Sequence, residues 1–100
     1  MASRRIIWTE RALIDLLNIK GFISLDSEVQ AIKQLNRIFD REGQLIANPQ
    51  SGGIQKGINS SFEIRYLVQD NYKILYRFTE TEVYVLTVFD TRQDPEKMNL

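Results

Sequence analysis

The chain has no cysteine and no histidine. The first absence excludes disulfides, thiolate metal sites and a cysteine nucleophile. The second removes the usual general base near neutral pH and the commonest metal ligand. Any catalysis would rest on Arg, Lys, Tyr or carboxylates, and no metal or other cofactor is expected. No apolar run approaches the ~18 residues of a membrane span, which argues against an integral membrane protein. Net charge is missing too: 13 Lys and Arg balance 13 Asp and Glu. Residues 1–50 carry seven cations and six anions, and residues 51–100 carry six and seven. Neither half is a basic arm, so bulk charge gives no tight grip on nucleic acid. The N-terminus, Met1-Ala2-Ser3-Arg4-Arg5, runs straight into patterned sequence without the shape of a signal peptide, and a cytoplasmic protein is expected.

What is present is a globular pattern. Of the 100 residues, 43% are apolar, enough for one domain over 1–100 with a single modest core. Two periods divide it. Arg4 to Trp8 reads as a first strand, and Thr9 suits a helix N-cap with Glu10 in the first turn. Ala12, Leu16, Ile19 and Ile23 then recur at helical spacing, flanked by Leu13 and Leu17. A second helix is expected from Asp26 or Ser27, with Ser27 and Gln30 resembling a capping box. Val29, Ile32, Leu35 and Phe39 line one face beside Ala31 and Ile38, and Gly43 is a plausible stop. The short break predicts an antiparallel hairpin whose stripes pack as core. Residues 43–61, with Asn48-Pro49-Gln50-Ser51-Gly52-Gly53, read as loop.

From Ser61 the period becomes two. Phe62, Ile64, Tyr66 and Val68 alternate with Glu63, Arg65, Leu67 and Gln69. Tyr72, Ile74, Tyr76 and Phe78 alternate with Lys73, Leu75 and Arg77, and Val83 to Asp90 is a third, nearly continuous apolar run. A two-residue first turn at Asp70-Asn71 would oppose Val68 to Lys73 and Ile64 to Arg77, mixing cations into the apolar face. A three-residue turn, Gln69 to Asn71, puts Phe62, Ile64, Tyr66, Val68, Tyr72, Ile74, Tyr76 and Phe78 on one side, with Asn71 taking the left-handed conformation. The second turn sets Phe78 opposite Val83 and Tyr76 opposite Val85.

The expected architecture is α+β. An N-terminal strand, of unsettled place, and an antiparallel helical hairpin pack on one face of a small antiparallel sheet. The uncovered face then carries Glu63, Arg65, Leu67, Lys73, Leu75, Arg77, Tyr84, Leu86 and Val88. An apolar centre fringed by cations reads as a partner site, or as an ordinary sheet back in which Lys and Arg stems shade aliphatic side chains.

Several blocks now align in order: Trp8-Thr9-Glu10-Arg11-Ala12 before the hairpin, Ile64-Arg65-Tyr66-Leu67, Tyr72-Lys73-Ile74-Leu75-Tyr76-Arg77, and Val85 through Arg92-Gln93-Asp94-Pro95. Over nearly its whole length the chain resembles the RelE/ParE superfamily of toxins from bacterial type II toxin–antitoxin (plasmid stabilisation) modules. The resemblance implies a cognate antitoxin with an acidic, amphipathic C-terminal segment. Residues expected to meet partners are Arg65, Leu67, Lys73, Leu75, Arg77, Tyr84, Leu86 and Arg92. The RelE branch cleaves mRNA on the ribosome. Its basic positions are met by Arg65, Lys73 and Arg92, but Glu63 stands at another and no Tyr or His follows Tyr84. The ParE branch, closer to this pattern, implies inhibition of DNA gyrase by binding, with no catalytic residue assigned. A toxin fold that only binds its antitoxin is the third reading. Arg92 could equally be a structural partner of Asp90 or Asp94.

Overall fold

The computed structural model describes residues 3–58, 60–95 and 98. In chain order the elements are β1 (Arg5–Trp8), α1 (Glu10–Ser24), α2 (Glu28–Phe39), α3 (Glu42–Ala47), a 3₁₀ turn (Pro49–Ser51), β2 (Gly53–Ile54), β3 (Arg65–Gln69), β4 (Tyr72–Phe78) and β5 (Glu82–Asp90). Among the described residues the strands form one five-stranded sheet in the order β1-β5-β4-β3-β2. β1 pairs parallel with β5, Ile6 opposite Val83 and Trp8 opposite Val85, and the other neighbours are antiparallel. The sheet is therefore mixed, and the first strand takes an edge.

The helix starts follow from local chemistry. Thr9 Oγ1 accepts from the Ala12 N–H at 3.2 Å, and its own hydroxyl donates to the Val85 and Leu86 carbonyls at 2.9 and 3.1 Å. One side chain thus caps α1 and stitches it to β5. Ser27 accepts from the Gln30 N–H and caps α2 in the same way. Phe39, at the end of α2, meets Trp8 edge-on with ring centroids 5.0 Å apart. That contact places the end of α2 beside the start of α1, as an antiparallel hairpin requires. The Trp8 indole N–H donates to Glu42 at 2.6 Å and ties α3 to β1.

β1 ends at Trp8, yet β5 runs on to Asp90, so α1 takes over that edge. The Val88 N–H donates to Asp15 Oδ2 at 3.0 Å, and the Thr87 hydroxyl donates to the same oxygen. A side chain thus satisfies a strand donor that no neighbouring strand reaches.

Three expectations are corrected here. The segment 43–61 is not plain loop: it holds α3, the 3₁₀ turn and β2, and Gly43 lies inside α3 because α2 has already ended at Phe39. Val29 and Ile32 are solvent-exposed, and the buried residues of α2 are Ala31, Gln34 and Ile38. The β3–β4 register is the one that apolar patterning argues against. Gln69 pairs with Tyr72, Val68 with Lys73 and Leu67 with Ile74, across a two-residue turn in which Asp70, not Asn71, is left-handed at φ 57°. Asp70 accepts from Gln34 at 3.1 Å, Arg37 at 2.9 Å and Gln69 at 3.2 Å. The turn is thereby pinned to α2, and β3 is turned over relative to expectation.

The core consequently splits in two. Under the helices, Leu67, Tyr72, Ile74, Tyr76, Val83, Val85 and Val88 pack with Ala12, Leu16, Ile38 and Leu45. Val88 joins them because β5 shifts register: Tyr76 opposes Val85 but Leu75 opposes Thr87, leaving Leu86 extra. On the reverse, Ile64, Leu75 and Phe89 are buried, with Ile58, Tyr66, Leu86 and Met98 packed around them. The turn after α3 is held tightly. The Tyr76 hydroxyl donates to the Pro49 carbonyl and accepts from the Gly52 N–H at 3.2 Å. A Cβ at Gly52 would sit 2.2 Å from that hydroxyl and 2.7 Å from the Tyr66 carbonyl.

Equilibrium urea unfolding tests this register. Leu67→Ala is expected to cost about 2–5 kcal/mol, and Val68→Ala less than about 0.5 kcal/mol because Val68 is exposed. The reverse order of effects would contradict it. Gly52→Ala is expected to cost about 2 kcal/mol or more by the same measurement, and a neutral result would show that the turn can move aside.

Candidate partner-binding surfaces

The residues singled out in the sequence do not gather on one surface. Residues directly opposed in a ladder share a face, so Arg65, opposite Tyr76, starts on the helix side of β3. Its guanidinium donates to the Gln50 and Gly52 carbonyls at 2.9 Å and to Glu63 at 2.8 Å, clamping the turn before β2. Leu67 is 6% exposed beneath the helices, so its placement on an open face is corrected. Lys73, Leu75, Arg77, Tyr84 and Leu86 lie on the reverse side. Leu75 there is fully buried, and Leu86 is half-buried against the same cluster. Arg92 follows β5 and grips Asp90, Nε to Oδ1 at 3.0 Å and Nη2 to Oδ2 at 2.8 Å, the structural pairing foreseen as its alternative.

The reverse face is thus no bare sheet. Ile58, from the segment between β2 and β3, and Met98 lie over its apolar centre. Lys73 Nζ donates to Gln55 Oε1 at 3.0 Å and lies 4.2 Å from the Tyr66 ring centroid. The space left among these groups consists, in the described residues, of open clefts of about 210 and 260 Å³, below the usual size of a ligand pocket. The expectation of an open apolar centre fails because it counted only helices as cover, and a connecting segment does the work instead.

Most of the exposed large apolar side chains among the described residues sit elsewhere, on the hairpin, with Ile54, Phe62 and Val68 exposed outside it. Leu13, Ile14 and Leu17 of α1, Leu25 at its end, and Val29 and Ile32 of α2 are between 46% and 83% exposed. Leu13 and Leu17 are four residues apart and Val29 and Ile32 three apart, so each pair forms a ridge along the outward side of its helix. In the sequence, Leu13, Leu17, Val29 and Ile32 read as core, because an amphipathic stripe has the same period whether it meets its own sheet or another molecule; Ile14 and Leu25 carry no such signal.

Three carboxylates are paired with hydrogen-bond donors: Glu82 on the reverse side, Asp70 at the β3–β4 turn and Asp90 at the end of β5. Glu82 accepts from the Tyr84 hydroxyl at 2.6 Å and from Arg5. Those two bonds, the tyrosine's first, hold its carboxyl below the ordinary range, and the same bond raises the Tyr84 hydroxyl. Arg92 lowers Asp90, and Gln69, Arg37 and Gln34 lower Asp70. Among the described residues no cluster of acidic side chains is placed to hold a metal ion, and no helix is long and apolar enough to cross a membrane.

Because Asp70, Glu82 and Asp90 titrate lower folded than unfolded, each contributes stability that is present above the unfolded pKa and lost as pH falls through the folded one. Urea midpoints are expected to hold from pH 7 to about pH 5 and to fall below about pH 4. Asp70→Asn combined with Asp90→Asn should flatten that acid limb, and an unchanged limb would assign it to other groups.

Comparison with known proteins adds to this geometry. No curated protein matches the chain. A solved structure described as the chromosomal ParDE TA system from P. aeruginosa superposes with a TM-score of 0.70 at 19% sequence identity, covering 87% of this chain and 95% of that one. At that identity the likeness establishes the shared fold. The family model for the ParE toxin of the type II toxin–antitoxin system parDE matches residues 6–95. The chain thus belongs to the ParE toxin family.

Proposed function

We propose that this chain is a toxin that acts by binding, inhibiting DNA gyrase, and that its cognate antitoxin docks an amphipathic helix on the outward side of the α1–α2 hairpin. The observation that carries the docking reading is the pair of exposed apolar ridges, Leu13–Leu17 and Val29–Ile32. Apolar side chains at helical spacing on a surface helix suit a partner helix with matching anchors. Such a patch has a cost in solubility unless a partner covers it.

Binding is favoured over ribonuclease chemistry by where the basic residues lie. Cleavage through a 2′-hydroxyl needs a base, a charge stabiliser and an acid converging on one phosphodiester. Arg65 faces the helix side of the sheet, Lys73 the reverse, and Arg92 is held by Asp90. The tyrosines on the helix side, Tyr72 and Tyr76, have hydroxyls raised chiefly by burial, which makes them poor bases near neutral pH.

Production of the chain without antitoxin in a bacterial host is expected to arrest growth. In vitro it should trap gyrase on cleaved DNA, leaving programmed ribosomes with intact mRNA. Normal growth would favour a fold that only binds its antitoxin, and cuts in ribosome-bound mRNA would favour the nuclease. For the docking surface, Leu17→Glu with Ile32→Glu should weaken antitoxin binding by at least about tenfold while leaving the unfolding midpoint nearly unchanged. Unaltered affinity would place the antitoxin elsewhere.

A further inference from the structure

Every described arginine but one donates to an oxygen. Arg4 reaches the Thr79 carbonyl, Arg5 Glu82, Arg11 Asp15, Arg37 Asp70, Arg41 the Val68 carbonyl, and Arg65 and Arg92 the groups named above. Arg77 is different. No oxygen among the described residues accepts from it. Its guanidinium instead lies 4.2 Å from the Phe62 ring centroid and 4.5 Å from that of Tyr84. Two aromatic rings therefore hold the planar fork on the reverse side of the sheet, half-buried, with its N–H donors unspent.

The reason is local. Arg77 is opposite Tyr84 in the β4–β5 ladder. The nearby carboxylate, Glu82, is already engaged by the Tyr84 hydroxyl and by Arg5. Arg5, Glu82 and Arg77 together carry one net positive charge. The nearby Glu63 is taken by Arg65 and adds nothing net. A single carboxylate neutralises such a site. A nucleic-acid backbone would meet Glu63 and Glu82 as well, on a chain of zero net charge.

We propose that Arg77, held between Phe62 and Tyr84, is a preformed receptor for an aspartate or glutamate side chain of the antitoxin's acidic segment. The proposal rests on the antitoxin reading above and adds a second contact, on the side of the sheet opposite the hairpin. A fork fixed by stacking loses little freedom when it binds, and its geometry matches a carboxylate in a bidentate pair. Of the three cations thought to fringe a partner site, Arg65 and Lys73 each already donate to an oxygen of the chain. Arg77 alone of the three has no oxygen acceptor among the described residues.

The test is calorimetric affinity of the full chain for its cognate antitoxin, at low and high salt. Arg77→Ala is expected to weaken binding by at least about tenfold and to lower the salt dependence. Arg77→Lys should weaken it nearly as much, since an ammonium cannot make the fork. Phe62→Ala, at an exposed ring, should fall between. Binding within about twofold of the unsubstituted chain in both Arg77 variants overturns the proposal while leaving the antitoxin reading intact. Absence of any binding by the unsubstituted chain overturns that reading instead. The receptor is then judged by its Arg77 Nε–H resonance, titrated with acetyl-Leu-Glu-Leu-amide, its Gln analogue and a short oligothymidylate. A shift specific to the Glu peptide supports it. Equal shifts with Glu and Gln, no shift, or a larger shift with the oligonucleotide overturn it.

Discussion

Gln34 and Arg37 on α2, with Gln69 beside them, hold the Asp70 carboxylate, and that grip decides which way β3 faces. Asp70 adopts a left-handed backbone conformation in a two-residue turn, one of the few residue types that does so at modest cost. With the turn set, Gln69 must oppose Tyr72, and side-chain alternation carries the consequence along the strand. Leu67 goes under the helices, and Tyr66 and Ile64 go to the reverse. Two polar helix positions and one turn residue thus select between two strand registers that apolar patterning alone ranks wrongly.

The choice of register shapes the surface as well as the core. A three-residue turn would have left the reverse face with Leu67 and Leu75 open to solvent. In the observed arrangement Ile64 joins Leu75 and Phe89 in a second small core, closed by Ile58, Tyr66, Leu86 and Met98. The sheet is therefore covered on both sides over its centre. Most exposed apolar side chains are left on the outward side of the hairpin, and on the reverse side the chief offer is electrostatic and aromatic: Arg77 between Phe62 and Tyr84.

Where a physical signal was local, the sequence carried it. Thr9 and Ser27 cap their helices as read, the hairpin is antiparallel, and Phe78 opposes Val83. The family resemblance agrees with the fold and with the match over residues 6–95. Tertiary signals were not legible. Asp15, which no sequence pattern singled out, completes the edge of β5 by accepting from the Val88 N–H. Gln34 and Arg37, likewise singled out by no sequence pattern, anchor the turn. The extra residue Leu86 in β5 moves Val88 to the helix side without leaving any pattern in an apolar run. At the candidate site the residue types were legible and their availability was not. Arg65, Lys73, Arg77 and Arg92 look alike in sequence, and only the fold reveals that Arg77 alone has no oxygen partner among the described residues.

The most direct test of the account is the register of β3 against β4, read from cross-strand backbone NOEs on the isotope-labelled protein. The account predicts contacts linking Leu67 with Ile74 and Gln69 with Tyr72, and side-chain contacts from Leu67 to Ile38 and Leu16. A ladder pairing Val68 with Tyr72 and Ile64 with Tyr76 would contradict it, and with it both the second core and the assignment of the exposed surfaces.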